Sequence, residues 1–267
     1  MKHKPGWPIG ICSWSLGHDL SEVAACLRKL HVRHVHLAVG GSTKAQLGMA
    51  KSPDWTITCA MVNFPQENYS TLESIRRTGG IVPDRSWPAN RRRFIKACNA
   101  AKHLQAPYIS MHAGFLDHGN KAAAGKFYRR MRDLADIALN RGLTLLMETG
   151  QETAADMRKF LVDMDHPALG INFDPANMIL YGKGNPVKAV KTLGPWIRHV
   201  HIKDAKKSKK RGEWGAEVPW GKGEVDGKAF LRGLRAAGFK GAFAIEREAG
   251  SNRMGDIKSA LKILGKS

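Results

Sequence analysis

Short runs of β-forming residues alternate with helical patterns from one end of the chain to the other, and this alternation constrains the fold most. Apolar side chains recur at helical spacing between the runs, as in Phe127, Met131 and Leu134. Strands that alternate with helices pair in parallel through right-handed crossovers. The eight candidate strands are Ile9–Trp14, His34–Ala38, Thr56–Val62, Tyr108–His112, Leu143–Glu148, Leu169–Asp174, Ile197–His201 and Ala242–Glu246.

Eight such units in 267 residues predict an α/β protein with a single (β/α)8 TIM barrel, one domain spanning residues 1–267, instead of two smaller domains. A doubly wound open sheet is the competing fold. That fold would place a glycine-rich phosphate loop after an early strand, and Gly10–Gly17 does not supply one.

Two connections are longer than a barrel needs. They are Asn63–Pro88 after the third strand and Lys203–Val225 after the seventh. Both follow the carboxyl end of a strand, which is the catalytic face of such a barrel. We expect these loops to form a lid or the walls of a substrate site.

The chain is strongly basic, with 43 Lys and Arg against 23 Asp and Glu, a net charge of +20 and a pI near 10.1. Such a field attracts anions, so an anionic substrate stays open as a partner. The basic residues are dispersed and carry no interleaved aromatic residues, so a nucleic acid is not the expected partner. No apolar run is long enough to cross a bilayer, and no membrane partner is expected.

The four cysteines, Cys12, Cys26, Cys59 and Cys98, lie far apart and form no Cys-x-x-Cys pair. We therefore expect free thiols in a reducing compartment and a cytoplasmic protein. The sequence leaves open whether a leader peptide was removed.

Four successive candidate strands each end in a side chain that can bind a metal: Glu148, Asp174, His201 and Glu246. In a parallel barrel these ends lie side by side on one rim. Three carboxylates and one imidazole predict one divalent cation, with Mn²⁺ or Mg²⁺ favoured and Co²⁺ or Zn²⁺ as alternatives. His199 shares a strand face with His201, and His201 is preferred as the ligand because it is nearer the rim.

Other residues near these ends are candidates for supporting roles. His112, Lys203 and Trp14 could bind substrate, through a ring nitrogen, an ammonium group and an apolar wall respectively. A core histidine, a solvated lysine and a packing tryptophan are the alternative interpretations. Asp204 and His199 could orient a ligand through hydrogen bonds to it.

Several motifs in the second half of the chain resemble the xylose-isomerase-like TIM barrels, a group of sugar phosphate isomerases and epimerases. They are Asn172-Phe-Asp-Pro-Ala-Asn177, His199-Val-His-Ile-Lys-Asp204, Ile245-Glu-Arg-Glu248 and the segment Val218–Asp226. The resemblance covers nearly the whole chain. Hydroxypyruvate isomerases, ketose 3-epimerases, inosose dehydratases and endonuclease IV share this scaffold.

The resemblance implies that Glu148, Asp174, His201 and Glu246 are the metal ligands and that Glu148 and Glu246 are also an acid/base pair. The implied reaction is isomerisation or epimerisation of a small sugar, sugar acid or sugar phosphate through an enediolate next to a metal-bound carbonyl. A dehydratase of a cyclic keto-polyol, such as an inosose or dehydroshikimate, is the alternative. By analogy with related barrels, we also expect a homodimer.

Asn177 departs from the ketose 3-epimerase pattern, which has a substrate-binding histidine three residues after the aspartate of the sixth strand. An asparagine can hydrogen-bond a substrate hydroxyl but carries no proton at pH 7. An endonuclease-like interpretation ranks lower, because the strand ends offer only His112 and the His199/His201 pair for a three-metal cluster.

Overall fold

The computed structural model describes residues 6–17, 19–41, 46, 48, 50–51, 54–210 and 212–265. Eight parallel strands close into a barrel in the order β1-β10-β7-β6-β5-β4-β3-β2, and an antiparallel pair, β8 and β9, lies outside it. The predicted α/β barrel is confirmed. The strands are β1 (Ile9–Cys12), β2 (His34–Ala38), β3 (Thr56–Met61), β4 (Tyr108–Met111), β5 (Thr144–Glu148), β6 (Leu169–Phe173), β7 (Ile197–Ile202), β8 (Asp204–Lys206), β9 (Ala216–Val218) and β10 (Ala242–Ile245).

The barrel strands begin and end within two residues of the predicted positions. Four residues predicted as strand ends, Trp14, His112, Asp174 and Glu246, lie just past β1, β4, β6 and β10. Asp174 leaves the strand because its carboxylate caps the next helix, and Trp14 lies in a helical turn that begins at Ser13. All four therefore stand on the loop side of the rim.

Helices lie between the barrel strands, and most of the described ones begin at a side-chain cap that the sequence supplies. Asp19, Asn120 and Thr153 each accept a backbone N–H of the first turn. The helices are α1 (Ser13–Leu16), α2 (Leu20–Leu30), α3 (Leu72–Thr78), α4 (Trp87–His103), α5 (Lys121–Leu139), α6 (Ala154–Met164), α7 (Pro175–Leu180), α8 (Pro186–Leu193), α9 (Gly227–Ala236) and α10 (Arg253–Leu264), and a 3₁₀ turn spans Gly194–Trp196. None of these described helices is both long and apolar enough to span a bilayer.

The apolar core lies between the strands and the surrounding helices. Phe94, Phe160, Phe173 and Phe230 are fully buried in it, and Phe173 of β6 contacts Phe230 of α9. The axis of the barrel differs, because buried histidine, asparagine, serine and threonine side chains meet there. The apolar layer between strands and helices therefore supports the fold, whereas the interior of the barrel is held by hydrogen bonds between polar side chains.

The two long loops contain structure of their own. The connection after β3 includes α3 and leads into α4, and the connection after β7 includes the β8–β9 pair. Trp214 of the second loop donates a hydrogen bond from Nε1 to the carbonyl of Tyr69 in the first, at 3.0 Å. The two loops therefore meet above the carboxyl ends of the strands.

Glu152, in the loop after β5, is a buried carboxyl whose charge opposes folding at neutral pH. Burial raises its pKa to about 7, although its side chain accepts the N–H of Leu116 at 3.2 Å. Since the folded-state pKa lies above the unfolded value, this group favours folding most at low pH. Its contribution is lost as the pH rises from about 4.5 to about 7.

We expect Glu152→Gln to raise the free energy of unfolding by about 1–3 kcal/mol at about pH 8, because the amide keeps an acceptor for Leu116 without a buried charge. Below about pH 4.5 the gain should vanish. Urea unfolding at both pH values measures the difference. The exposed Glu213 gives a matched control as Glu213→Gln; an equal gain in both variants would contradict the role of burial.

Candidate metal centre and substrate cleft

Four buried side chains from four strand ends meet at the floor of the barrel mouth. Glu148, Asp174, His201 and Glu246 each offer one ligand atom, and these atoms all lie within 4.8 Å of one another. His201 Nδ1 is the centre of the group. It lies 3.0 Å from Glu246 Oε2, 3.4 Å from Glu148 Oε1 and 3.5 Å from Asp174 Oδ2. The structure thus brings together the four residues that the sequence placed on one rim.

The chemistry of this group fits a divalent cation. Asp174 Oδ2 and His201 Nδ1 are buried and make no hydrogen bond among the described residues. Glu246 Oε2 is also buried without a hydrogen bond, but it forms an ion pair with Lys203 at 3.0 Å. Buried polar atoms in proteins almost always have a partner, so two unpartnered atoms that meet a third carboxylate oxygen at one point indicate a position for a ligand. Three carboxylates and one imidazole suit Mg²⁺ or Mn²⁺.

Neighbouring groups hold the carboxylates in place. Trp14 Nε1 donates to Glu246 Oε1 at 2.7 Å, and the Asn177 amide nitrogen donates to Glu148 Oε1 at 3.0 Å. The backbone N–H of Asn177 donates to Asp174 Oδ1 at 2.9 Å. For Asp174 and Glu246 one oxygen is therefore fixed, and the other faces the shared point. Trp14 and Asn177 also line the cleft, so each can contact both a carboxylate and a substrate.

Lys203 is buried beside the four ligand atoms instead of being a solvated lysine. Its ammonium group lies 3.0 Å from Glu246 Oε2, 3.2 Å from Glu248 Oε2 and 3.8 Å from Asp174 Oδ2. Burial lowers the pKa of Lys203, but the surrounding carboxylates outweigh it and hold that pKa well above its ordinary value. Lys203 therefore offsets part of the negative charge gathered at the barrel mouth.

The three carboxyls differ in how readily they ionise. Burial raises the pKa of Glu246, but Lys203 and His201 outweigh burial and hold this pKa well below its usual range. At Asp174, by contrast, burial outweighs the neighbouring charges, and the pKa rises to about 6. At Glu148, His112 and His201 overcome burial, and the pKa is lowered. Glu148 and Glu246 are thus the carboxylates held ready to accept a proton.

Behind His201 lies a set of buried polar side chains, here called the interior network, of which sequence reasoning had singled out only His199. It crosses the barrel axis and connects five strands through hydrogen bonds of 2.9–3.1 Å. Its members are His36, Thr58, Ser110, Asn172 and His199. His36 stands in a His-Val-His run that matches the one at residues 199–201, and period-two alternation could have revealed it.

His199 and Asp204, the two residues predicted to orient a ligand, differ in the groups that they contact. His199 is fully buried beneath the cleft and contacts Asn172 at 2.9 Å, and Asn172 in turn lies 3.1 Å from His201. Asp204 was predicted to orient a ligand, but its carboxylate accepts the backbone N–H groups of Ala205, Gly221, Gly223 and Val225. Asp204 therefore shapes the loop after β7, because four backbone donors occupy its oxygens.

Above the four carboxylate and imidazole groups lies a cleft of about 970 Å³. Aromatic side chains form much of its wall, including Trp14, Phe64, Tyr69, Tyr181 and Trp214. Tyr181 and Trp214 meet edge to face with ring centroids 4.9 Å apart. Apolar walls with a few polar groups at the floor are typical of a small-molecule site.

His112 lies at the edge of the cleft floor, as predicted for a substrate-binding residue. Its Nε2 is 3.7 Å from Glu148 Oε1, and its Nδ1 has no hydrogen-bond partner among the described residues. Burial lowers the pKa of His112, but Glu148 and Glu67 outweigh burial and raise it overall. His112 thus places Nε2 beside a candidate acid/base carboxylate and leaves Nδ1 without a partner among the described residues.

Curated relatives match parts of the chain. Inosose dehydratase 1 of Bacillus cereus is 36% identical over 90 residues, which are 32% of this chain and 28% of that protein. The 3-dehydroshikimate dehydratase of Bacillus anthracis is 30% identical over 30% of this chain and 29% of its own length. Inosose dehydratase of Geobacillus thermodenitrificans is 26% identical over 48% of each chain. The matches span less than half of these relatives.

Solved structures match over nearly the full length. A xylose isomerase domain protein from Planctomyces limnophilus has a TM-score of 0.91 and 31% identity, covering 98% of this chain and 97% of that one. A xylose isomerase-like TIM barrel protein from Mycobacterium smegmatis in complex with magnesium has a TM-score of 0.75 at 18% identity, covering 97% and 96%. An L-ribulose 3-epimerase also has a TM-score of 0.75, at 16% identity, covering 97% and 93%.

The curated relatives include inosose and 3-dehydroshikimate dehydratases, in line with the prediction of an enzyme. The family model described as "Xylose isomerase-like TIM barrel" matches residues 54–266, well over half of the sequence. The chain belongs to the xylose isomerase-like TIM barrel family.

Proposed function

We propose that this protein is a divalent-metal-dependent isomerase or epimerase of a small sugar or polyol. The observation that carries the proposal is the meeting of four buried ligand atoms within 4.8 Å of one another at the floor of the cleft, where Asp174 Oδ2 and His201 Nδ1 have no hydrogen-bond partner among the described residues. Glu148, Asp174, His201 and Glu246 would hold the cation. Bound there, Mn²⁺ or Mg²⁺ would polarise a substrate carbonyl and stabilise the negative charge of an enediolate.

The chain's own carboxylates would move the proton. Glu246 Oε2 takes the proton from the carbon next to the carbonyl, because Lys203, 3.0 Å away, holds Glu246 ionised. Glu148, placed by Asn177, takes a proton from His112, whose Nε2 lies 3.7 Å from Glu148 Oε1, and delivers it to the neighbouring carbon in isomerisation or to the opposite face in epimerisation. Glu246 then gives up its proton to solvent, and solvent reprotonates His112. A positioned acid or base of this kind contributes about 10²–10⁴-fold to the rate.

The charges around the cleft favour a substrate without a phosphate or carboxylate. Glu67, Glu217 and Glu248 line it in addition to Glu246. Lys203 is already paired with Glu246 and Glu248, and Arg247 with Glu217. The carboxylates of the described wall would therefore repel a substrate anion, and Lys203 and Arg247 are already paired with carboxylates. We take the +20 charge of the molecule as a property of its outer surface and not of this site.

A dehydratase of a cyclic keto-polyol is the second candidate. Three dehydratases among the partial relatives favour it, and Asn177 stands where ketose 3-epimerases carry a histidine. The first step would be the same proton transfer to Glu246. A hydroxyl on the next carbon would then leave as water with a proton from His112, and a carbon–carbon double bond would form. The carboxylates that line the cleft favour an inosose over dehydroshikimate, which carries a carboxylate of its own.

Solvent exchange distinguishes these reactions. With Mn²⁺ and a panel of uncharged ketoses and inososes in D₂O, we expect one deuterium to enter the substrate carbon next to the carbonyl during isomerisation or epimerisation. A dehydratase would instead give a conjugated enone that absorbs in the ultraviolet. Phosphorylated analogues serve as the comparison. Turnover of these in preference to the uncharged sugars would contradict the proposed substrate class.

A further inference from the structure

A chain of buried hydrogen bonds runs from His201 across the barrel axis to a backbone carbonyl. His201 Nε2, on the ring side opposite the carboxylates, lies 2.9 Å from His36 Nδ1. His36 Nε2 lies 2.9 Å from Ser110 Oγ, which donates to the carbonyl of Ala60 at 3.3 Å. All three side chains are fully buried, so water does not interrupt this chain.

Two groups at the end of the chain accept from Ser110 Oγ, the carbonyl of Ala60 at 3.3 Å and Met61 Sδ at 3.1 Å, and both favour a hydroxyl proton that points away from His36. A carbonyl oxygen only accepts, and a serine hydroxyl has one proton to give. With that proton on the carbonyl of Ala60, Ser110 Oγ accepts from His36 Nε2. An uncharged imidazole carries one N–H, so His36 Nδ1 presents a lone pair and accepts from His201 Nε2. His201 Nδ1 is then left with its lone pair, directed at the carboxylates.

The other neighbours of His201 Nε2 are poorer acceptors. The amide nitrogen of Asn172 lies 3.1 Å away, but a nitrogen of this kind donates, and it also lies 3.4 Å from Glu148 Oε2. The thiol sulfur of Cys12 lies 3.6 Å away and is a weak acceptor. The register of β2 against β3 shifts between Val35 and His36, an irregularity of the kind that re-aims side chains.

We propose that His36, held by Ser110, is a positioning residue that keeps His201 in the tautomer whose Nδ1 lone pair faces the cation position. The proposal rests on the proposed function only in that a divalent cation binds at that position. Groups that accept the second N–H of a metal-binding histidine fix its ring and tautomer, and their loss typically lowers metal affinity about 10–100-fold.

Two variants whose side chains branch in the same way separate this role from packing. His36→Asn retains an acceptor oxygen close to the position of Nδ1, whereas His36→Leu fills the space but has no acceptor. Titration calorimetry with Mn²⁺ on the metal-free protein should show affinity lowered about 10-fold or more in His36→Leu and within about 3-fold of the wild type in His36→Asn. Thermal unfolding of both metal-free variants measures how much loss of the ring lowers the stability of each.

Each result decides the matter. Equal losses in the two variants would assign His36 to packing alone, and unchanged affinity in His36→Leu would overturn the proposal, because another group, such as the Cys12 sulfur, would then accept the N–H of His201. Ser110→Ala carries the same test if His36→Leu does not fold, with weaker Mn²⁺ binding expected and unchanged binding overturning the proposal. A long-range ¹H–¹⁵N spectrum of the Mg²⁺-loaded protein should show His201 protonated at Nε2 only. Absence of Mn²⁺ binding by the wild type would overturn the proposed function itself.

Discussion

Replacing Glu246 with glutamine should lower turnover by about 10²–10⁴-fold or more at saturating Mn²⁺ while the barrel stays folded. Glutamine has the shape of glutamate and keeps an oxygen for the Trp14 Nε1 hydrogen bond, now 2.7 Å long. It lacks the negative charge at Oε2 that would accept the substrate proton. The measurement is kcat at saturating substrate, with circular dichroism to confirm the fold.

The matched control is Glu213→Gln, an exposed glutamate that forms a surface ion pair with Lys210. We expect its kcat to match the wild type. Because Glu246 is also a proposed ligand, Mn²⁺ affinity is measured for both variants, so that loss of metal is separated from loss of the base. Turnover by Glu246→Gln within a few-fold of the wild type would remove Glu246 from the mechanism.

Chelation of metal should lower the melting temperature and abolish activity, and Mn²⁺ should restore both. Without a cation, three carboxylates lie around one imidazole, with His201 Nδ1 only 3.0 Å from Glu246 Oε2. A ligand at 100 times its Kd stabilises the folded state by about 2.7 kcal/mol, which corresponds to a shift of about 5–10 °C in a chain of this size. Thermal unfolding with EDTA and with graded Mn²⁺ measures the shift.

Asp174→Asn is the control for the metal experiment. Asparagine still caps α7 by accepting the backbone N–H of Asn177, which Asp174 Oδ1 does now at 2.9 Å. The variant should keep its fold but show a much smaller Mn²⁺-dependent shift. An equal shift in wild type and Asp174→Asn would place the cation elsewhere in the molecule.

The barrel and the meeting of the four candidate ligands could be predicted because both follow from local patterns. Short runs of β-forming residues mark the strands, and the last residue of each run indicates its end, so Glu148, Asp174 and Glu246 could be placed on one rim. The register of a closed parallel barrel then brings those ends together. Their roles as ligands stay a prediction that the experiments above test.

What the sequence did not reveal depends on contacts between distant segments. Lys203 looks like an ordinary basic residue until the loops carrying Glu248 and Glu217 surround it. His36 and His201 are 165 positions apart, so no local pattern links them. Asp204 follows a candidate ligand in sequence, yet a loop about twenty residues further on takes its oxygens. Charge, spacing and residue type do not encode these partners.

Because of the interior network, we expect substitutions along the barrel axis to be tolerated less well than substitutions in the surrounding apolar layer. Around the outer ring, where Phe173 meets Phe230, an apolar residue of similar volume can replace another with modest loss, because dispersion and burial have no preferred direction. Along the axis, bonds of fixed polarity hold Ser110 and Asn172, and a single methyl in place of a hydroxyl would disorient every donor upstream. Among related sequences, we therefore expect more substitutions in the apolar layer than in the interior network.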